Sequence, residues 1–346
     1  IGDYHEDSLY VKTRFGYTKI DRATSIYAFG HFRFKKYLYG YLYPRIVNNP
    51  DSFERYTGVK RDIKRKGFSS GETDLSGIGF QNEWLCFQIG RGREIWGAGQ
   101  NIELALSEKS PSYDYFMLGS NYGKLRVKYI HGFLESNFER MNRYITARGF
   151  EWTNNKNLII GLSEIVIYSG ENRPLDFSYM NPISTHLEVE LNNRLNIEGE
   201  GNANGVWQIS TDMLIKERLR LSFNLLYDEF VLDEVQLKEG KEHGSALSIR
   251  ASYAIKKFID YYISFSSSYI YVGTPTFRHG NGLNNFVTRE KPLGWKYGSD
   301  GQEGSFGLNI FKKDKFIMVL KIGNREIGDE SVIRNPYSPY KDYKKG

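Results

Sequence analysis

Hydrophobic and polar residues alternate with a period of two along most of the chain. In KLRVKYIHGFL (residues 124–134), Leu125 and Val127 are apolar, whereas the intervening Arg126 and Lys128 are charged. The segments ERLRLSFNLLYDEF, DYYISFSSSYIYV and KFIMVLKIGN repeat this pattern. Because successive side chains of a strand point to opposite faces, the alternation predicts an all-β protein whose strands have one apolar face and one polar face.

The turn signals divide this pattern into about sixteen to eighteen strands. Short polar links predict hairpins at Lys35–Lys36, Asn154–Lys156 and Lys312–Lys315. Three intervals without strand pattern are polar and rich in glycine, and we expect long loops at 48–76, 229–244 and 273–302. No linker and no repeat of fixed period divides the chain, so the sequence predicts a single domain over residues 1–346.

Two architectures accept this many meandering strands: a soluble sandwich or propeller, and a transmembrane antiparallel β-barrel. Strands of about ten residues, the length that a tilted strand needs to cross a bilayer, favour the barrel. The charged polar faces fit a wide, water-filled lumen better than the outside of a sheet. Tyrosines cluster near strand ends, as in YLYGYLYP, where an aromatic girdle meets the membrane surface. The sequence therefore predicts a barrel in the outer membrane, with the sandwich as the alternative.

Composition narrows the classes of function. The 26 tyrosines, 22 phenylalanines and 35 glycines suit a β-rich protein. A single cysteine, Cys86, excludes an internal disulfide framework and a multi-cysteine metal site. The 47 basic residues are offset by 41 acidic ones, so we expect no nucleic-acid partner. The six histidines lack the spacing of a zinc site and no GxSxG elbow occurs; we expect no metal, no cofactor and no enzyme activity.

The segment GRGREIWGAGQNIELALSEKS (residues 90–110) has closely spaced glycines but is not a phosphate-binding loop. It lacks the order GxxxxGK[ST], and no helix follows a GxGxxG spacing. With the later segments RGFEW and GLSEIVIY, it resembles the capsule-assembly (Wzi-like) outer-membrane protein family. The resemblance covers 89–182, about a quarter of the chain, and its matching positions are Gly90, Arg91, Arg93, Trp96, Gly97, Gly99, Ser107, Arg148, Glu151, Trp152, Gly161, Leu162, Ser163, Glu164, Tyr168, Asn181 and Pro182.

The chain departs from this family at several points. Ala98 stands where the family has proline, Lys109 and Ser110 replace an Asn-Ala pair, and YSPYKDYKKG does not resemble a terminal strand that ends in phenylalanine. The resemblance implies an outer-membrane barrel that binds surface polysaccharide, helps to hold capsule at the cell and has no catalytic role. The partners it implies are outer-membrane lipid, lipopolysaccharide, surface polysaccharide and other envelope proteins.

Candidate saccharide-binding residues follow from the same segments. Sugars pack their C–H faces on aromatic rings and accept paired hydrogen bonds from planar groups, and residues of these types are Arg91, Arg93, Trp96, Arg148, Trp152, Glu164 and Tyr168. The alternative is that these charges form ion pairs across strands and that the tryptophans belong to the girdle or the core. Two further functions remain open: a porin or polysaccharide export channel, and a structural barrel in a larger envelope complex.

Side chains alternate between the two faces of a strand, and this limits which of the later candidates, from Arg148 to Tyr168, can face the lumen. Arg148 and Trp152 share one face of their strand, and Glu151 points to the opposite face. Glu164 and Tyr168 share a face with Leu158, Ile160 and Leu162, which is awkward for a lumenal site. We expect a bulge near Ser163 to turn the polar residues inward. The basic run VKRDIKRK (residues 59–66) is a further candidate contact for anionic polysaccharide or lipopolysaccharide, with a solvated loop as the alternative.

Overall fold

The computed structural model describes residues 9–53, 56–61, 68–136, 140–192, 194, 203–228, 234–238, 243–255, 261–279, 282–313 and 315–334. The strands are β1 (Leu9–Ile20), β2 (Ala23–Phe34), β3 (Leu38–Val47), β4 (Ser70–Gln81), β5 (Leu85–Gly92), β6 (Tyr113–Tyr122), β7 (Leu125–Ser136), β8 (Met141–Thr153), β9 (Leu158–Glu171), β10 (Asn204–Ile215), β11 (Leu219–Tyr227), β12 (Ser245–Ala254), β13 (Tyr261–Val272), β14 (Val287–Thr288), β15 (Lys291–Pro292), β16 (Gly301–Lys312) and β17 (Phe316–Ile327).

Fifteen of these strands form one antiparallel sheet in the order β1 to β13, then β16 and β17. The all-β prediction is confirmed. Among the described residues β1 and β17 each pair on one side only, and they run in the same direction because every neighbouring pair is antiparallel. The alternation of HLEVEL also predicts a strand that begins near His186, and this prediction is wrong. HLEVEL alternates in sequence, but it forms a helix that Thr185 caps by accepting a hydrogen bond from the Glu188 N–H.

The two faces of the sheet differ as the alternation predicts. On β7, Leu125 and Val127 pair with Trp152 and Phe150 on β8, and all four side chains are exposed on the outer face. Exposed leucine, isoleucine, valine and aromatic side chains continue along the outer face of the other strands. Arg126 lies on the opposite, inner face. The outer face is therefore an apolar band of the kind that contacts lipid in a transmembrane barrel.

The connections at the two ends of the strands differ in length. At one end, named here the short-turn end, links of at most six residues join the strands at 35–37, 82–84, 123–124, 154–157, 216–218, 255–260 and 313–315. The opposite end, named the long-loop end, has short links at 21–22 and 137–140 and longer ones at 48–69, 93–112, 172–203, 228–244 and 273–300. The first predicted loop is shorter than expected because β4 already begins at Ser70. In outer-membrane barrels the short turns face the periplasm.

Two of the long loops, 93–112 and 273–300, fold inward and are named the plug. Their apolar residues pack with the inner-face side chains of strands β6 to β13 in one buried cluster, which includes Ile102, Leu104, Leu106, Ile130, Ile145, Ile165, Ile167, Val206, Phe286 and Trp295. The prediction of a wide, polar interior is thus wrong for the long-loop half. That half is filled by a hydrophobic core, and burial of this apolar area stabilises the plug inside the sheet.

Three short helices lie in the loops: α1 (Phe177–Met180), α2 (His186–Leu191) and α3 (Glu234–Lys238). No helix within the described ranges is long and apolar enough to span a membrane. Residues 172–192, which contain α1 and α2, leave the long-loop end and pack on the outer face of the sheet; this segment is named the excursion. The C-terminal segment YSPYKDYKKG lies outside the described residues, as does most of the basic run VKRDIKRK.

Candidate functional site

Arg148 and Glu164 are neighbours on the outer face, under the excursion. They are paired positions of β8 and β9, and Arg148 Nε lies 3.2 Å from Glu164 Oε2. From the excursion, the Asn181 carbonyl accepts a hydrogen bond from Arg148 Nη1 (2.9 Å). Glu164 Oε1 lies 2.8 Å from His186 Nδ1 and accepts a bond from the His186 N–H. These buried charges therefore hold the excursion against β8 and β9.

Tyr168 continues this cluster toward the long-loop end. Its ring stacks on Tyr179 of the excursion at 4.4 Å and on Tyr144 of β8 at 5.0 Å. Next to it, Arg173 Nη2 donates to Asp176 Oδ2 (2.8 Å), and both residues are buried. Burial alone would raise the pKa of the Asp176 carboxyl, but hydrogen bonds from Ser178 and Arg173 outweigh it and lower the pKa below its ordinary value.

The predicted bulge near Ser163 does not occur. β8 and β9 pair without a register shift from Met141 to Thr153, so Arg148, Glu164 and Tyr168 stay on the outer face. Trp152 is on the same face near the short-turn end and is 40% exposed, as a girdle residue would be. The structure brings Arg148, Glu164 and Tyr168 together, but beneath the excursion and away from the interior.

The two arginines of the glycine-rich segment also have partners. Arg91 lies on the outer face and its Nη1 is 2.8 Å from Asp114 Oδ2. Arg93 donates to Asp74 (2.5 Å) and to the Ser110 carbonyl (2.8 Å). Asp74 is the extra residue of a register shift between β3 and β4. That shift turns the Asp74 carboxylate inward, because a bulge re-aims side chains. The ion pair between Arg93 and Asp74 therefore links the plug to β4.

Trp96, like Arg93, is a predicted site residue that lies in the interior. Its ring packs on the inner face of β8, where a Cβ at Gly149 would lie 2.8 Å from it. Below it, toward the short-turn end, is a cavity of about 420 Å³ lined by Trp96, Met117, Asn121, Arg126, Lys128, Glu151, Ser163 and Ser210. This volume falls within the range of about 300–1,000 Å³ that is typical of small-molecule sites.

The polar groups of this cavity are arranged in two pairs. Arg126 and Glu151 lie 3.8 Å apart, and each side chain is about half exposed, at 50% and 48%. Lys128 pairs with Glu94 of the plug and lies 5.6 Å from the centre of the Trp96 ring. A ring face, two cations, a carboxylate and hydroxyls thus surround one space. Such a set can pack against a sugar ring and bond to its hydroxyl groups.

The plug closes the cavity toward the long-loop end. Asn224 of β11 accepts from the Ala98 N–H (2.7 Å) and donates to the Ala98 carbonyl (2.8 Å). The two plug loops join where the Ser107 N–H donates to the Leu293 carbonyl and the Trp295 N–H donates to the Leu104 carbonyl, both at 2.9 Å. Gly97 and Gly99 have positive φ angles, 113° and 86°, which explains the glycines of the WGAG segment.

Arg126, Lys128, Glu151 and Ser163 line the cavity although they were not among the predicted site residues. The alternation already placed Arg126 and Lys128 on the face opposite the apolar band, and parity placed Glu151 opposite Arg148. Within the described ranges no cluster of histidine, cysteine, aspartate or glutamate could hold a metal ion. The side chains that line the cavity can form hydrogen bonds and pack against a ring.

No known protein-family model matches the sequence, and no curated protein matches it either. Among solved structures, the chain is similar to Wzi of Escherichia coli, described as an outer membrane protein involved in group 1 capsule assembly and a carbohydrate-binding β-barrel. The TM-score is 0.61 at 10% identity, over 94% of this chain and 72% of that one. This likeness shows the fold, that of an outer-membrane β-barrel.

Two further structures match with lower scores. A bacterial polysaccharide outer membrane secretin has a TM-score of 0.43 at 9% identity, over 95% of this chain and 94% of that one. OccD3 (OpdP) of Pseudomonas aeruginosa has a TM-score of 0.40 at 9% identity, over 94% and 87% of the two chains. Scores this low do not support an argument about function.

Proposed function

We propose that this protein is an outer-membrane β-barrel that binds a surface polysaccharide during capsule assembly, in the short-turn half of its interior, which faces the periplasm, without catalysis. The observation that carries the proposal is the cavity below Trp96, with its ring face, ion pairs and hydroxyl groups. The carbohydrate-binding description of Wzi, whose fold this chain shares, supports the same class of ligand. Outer-membrane lipid, lipopolysaccharide and other envelope proteins are the further partners.

The outer-membrane location is supported by the apolar band on the outer face and by the length of the strands in the fifteen-stranded sheet, which is 8 to 14 residues. We also propose that the closed barrel has sixteen to eighteen strands. An antiparallel closure requires an even number of strands. Since β1 and β17 run in the same direction, sixteen is the smallest even number that contains the fifteen observed.

The filled long-loop half favours binding over conduction. A porin needs a continuous aqueous path, whereas the plug and the inner face of β6 to β13 form a buried apolar core there. The short-turn half stays accessible, because Arg126 and Glu151 are half exposed. An interior that is closed at one end and open at the other can hold part of a polymer without letting solute through.

The proposal is tested by saccharide binding to the purified protein in detergent. We expect surface polysaccharide from the source cell to bind the wild type. The double variant Arg126→Ala with Glu151→Ala should weaken that binding by about tenfold, which corresponds to ~1.4 kcal/mol. The matched control removes another inner-face ion pair, Lys321 and Glu303 (3.1 Å), which is remote in the sheet on β16 and β17. Heat-modifiable mobility on a gel verifies folding of each variant.

Two results would contradict the proposal. The first is a folded wild type that binds none of the polysaccharide. The second is single-channel conductance of the wild type in a planar bilayer, which would favour the porin or export channel. Stoichiometric co-purification of other envelope proteins by a wild type that does not bind saccharide would favour a structural role in a larger complex.

A further inference from the structure

The inner face of β1, β2 and β3 carries a second set of aromatic side chains, away from the cavity below Trp96. By register, His31 lies opposite Tyr41 and Arg33 lies opposite Tyr39, so the side chains of this set share one face. The set, named the aromatic wall, consists of Tyr10, Tyr27, Phe29, His31, Tyr39, Tyr41 and Tyr43. Apart from Tyr10, which is exposed, these side chains are half-buried, so part of each ring remains open to the interior.

Glycines let the rings of the wall lie flat. Tyr39 is paired with Gly79, and a Cβ at that glycine would lie 2.4 Å from the Tyr39 ring. Gly77 stands in the same relation to Tyr41, and Gly16 to Tyr27. A flat aromatic ring with one face on the wall presents its other face to the interior. That geometry suits the C–H face of a pyranose ring.

The wall is also long. Tyr39, Tyr41 and Tyr43 occupy alternate positions of one strand, so the first and last are about 13 Å apart at ~3.3 Å per residue. Tyr27 and Tyr43 form an edge contact at 5.7 Å, and Tyr10 and His31 lie 5.6 Å apart. A row of this length can contact more than one sugar unit, which points to a polymer as the ligand.

The charge of the wall is positive. Lys12, Arg14 and Arg33 lie on the same inner face as the rings. The carboxylates there, Glu72 and Asp74, are both within ion-pair distance of Arg45, and Asp74 also pairs with Arg93. Among the described residues of this face, the three cations on β1 and β2 therefore exceed the unpaired carboxylates, and they favour an anionic ligand.

A chain of side-chain hydrogen bonds links the aromatic wall to Glu94, which lies next to the cavity below Trp96. The Tyr39 hydroxyl donates to Gln88 (2.9 Å), Gln88 donates to the Tyr115 hydroxyl (3.1 Å), and Tyr115 donates to Glu94 (2.8 Å). Glu94 is the partner of Lys128 at the cavity. At the long-loop end Ser25, Val47 and Tyr56 are buried, so the wall is covered there and opens toward the short-turn end.

We propose that the aromatic wall binds a stretch of an acidic polysaccharide that enters from the short-turn end. The proposal rests on the proposed function and specifies its ligand as a polymer that carries carboxylate groups. The rings supply packing surfaces for successive sugars, and Lys12, Arg14 and Arg33 pair with the carboxylates. A neutral polymer gains the ring contacts but none of the charge pairs.

The test compares polygalacturonate, an acidic polymer, with dextran, a neutral one, as ligands of the purified protein in detergent. We expect tighter binding of polygalacturonate, with an affinity that falls as salt rises. The double variant Tyr39→Ala with Tyr41→Ala should weaken polygalacturonate binding by about tenfold or more. The control Leu42→Ala lies on the same strand but on the outer face and should leave the affinity unchanged.

A second variant keeps every ring but moves one. A Cβ at Gly16 would lie 2.5 Å from the Tyr27 hydroxyl oxygen and meets no backbone atom among its nearest neighbours, so Gly16→Ala displaces the Tyr27 ring alone. We expect weaker polygalacturonate binding. The matched control is Gly30→Ala on the outer face of β2, where the nearest atom to a Cβ is 3.9 Å away.

The outcomes separate this inference from the function it rests on. Wild-type affinity in the Tyr39 and Tyr41 variant, together with lost affinity in the Arg126 and Glu151 variant, would overturn the aromatic wall and leave the cavity as the site. Equal affinity for dextran and polygalacturonate would overturn the acidic ligand. A wild type that binds the native surface polysaccharide but not polygalacturonate would also count against carboxylate recognition, whereas a wild type that binds neither would contradict the proposed function as well.

Discussion

The two halves of the barrel wall differ in what covers them. In the long-loop half the plug covers the inner face of β6 to β13, and the excursion covers the outer face of β8 and β9 around Glu164 and Tyr168. In the short-turn half Arg126 is half exposed on the inner face, and Val127 is exposed on the outer face. In the long-loop half β8 and β9 are thus covered by protein on both faces. In the short-turn half the inner face meets water and the outer face meets lipid.

The two halves therefore have different roles: one stabilises the fold, and the other has the groups that can bind a ligand. The long-loop half holds most of the buried apolar side chains and fixes the plug. The short-turn half has the polar cavity and the open faces of the aromatic rings. A rigid closed end with an accessible opposite end is suited to holding a ligand in place, because the binding groups stand on strands that the core keeps in position.

The largest effect, a gain of ion conductance, is expected from a substitution that opens the plug in the long-loop half. A Cβ at Gly294 would lie 1.7 Å from the Leu104 carbonyl oxygen, so Gly294→Ala forces the two plug loops apart. The wild type should be silent in planar bilayers, and this variant should show ion-conducting steps. The control Gly304→Ala, where nothing lies within 4 Å of a Cβ, should stay silent. Silence of a folded Gly294→Ala variant would mean that the plug does not form the seal.

The excursion should be the next most sensitive feature. Arg148→Ala leaves the buried Glu164 carboxylate without its guanidinium partner, and removal of one member of a buried pair costs about 3–5 kcal/mol. We expect a lower free energy of unfolding in urea and faster proteolysis within residues 172–192. Arg126→Ala breaks a half-exposed pair and is the control. Similar losses in the two variants would show that the excursion does not bury the outer pair.

In the short-turn half, the two faces of a strand should respond differently to substitution. Val127→Arg puts a charge on the lipid face, which costs about 2–4 kcal/mol near the bilayer midplane. We expect impaired membrane insertion, measured as the heat-modifiable fraction after folding into liposomes. Arg126→Ala, one residue away on the inner face, should insert normally. Equal insertion of the two variants would contradict the assignment of the faces.

The smallest effect is a pH dependence of the excursion. Because the Asp176 pKa is lowered in the folded state, its ionised form stabilises the docked excursion above the ordinary carboxyl pKa of about 4. That contribution is lost as the pH falls from this value through the lowered one. Hydrogen exchange of residues 172–192, corrected for intrinsic rates, should rise in this window. Asp176→Asn should remove the pH dependence, and a variant that keeps it would assign the effect to another group.

The alternation was sufficient to predict the β class and the faces of the short-turn half. There each side chain meets either lipid or water, so polarity reports its side directly. The plug was not predictable in the same way, because Ile102, Leu104 and Leu106 alternate as a strand would. A usable signal was present in IVIY (Ile165–Tyr168), where all four side chains are buried. A strand covered on both faces has a continuous apolar run.

The sequence could indicate only part of the arrangement of the candidate site. Glu164 shares a face with apolar residues, and the sequence cannot show whether a bulge or a covering segment resolves that conflict. In the structure the excursion covers it, through contacts between residues that are far apart in sequence: His186 and Glu164 are separated by 22 positions, and Asn181 and Arg148 by 33. Trp96 was recognised from its motif, whereas the aromatic wall became visible only when the register aligned three strands.

Whether the interior is closed at the long-loop end is tested by labelling Cys86 from each side of the membrane. This single cysteine lies on the inner face near the short-turn end, with its Sγ 3.6 Å from the Tyr39 hydroxyl oxygen. A maleimide that carries a polymer too large for porins is added to intact cells and to isolated outer membranes. If the long-loop end is sealed and the aromatic wall binds the polymer, we expect no labelling in intact cells, labelling in open membranes, and slower labelling in open membranes when polygalacturonate is present. Labelling of intact cells from outside would contradict an interior that is closed at the long-loop end.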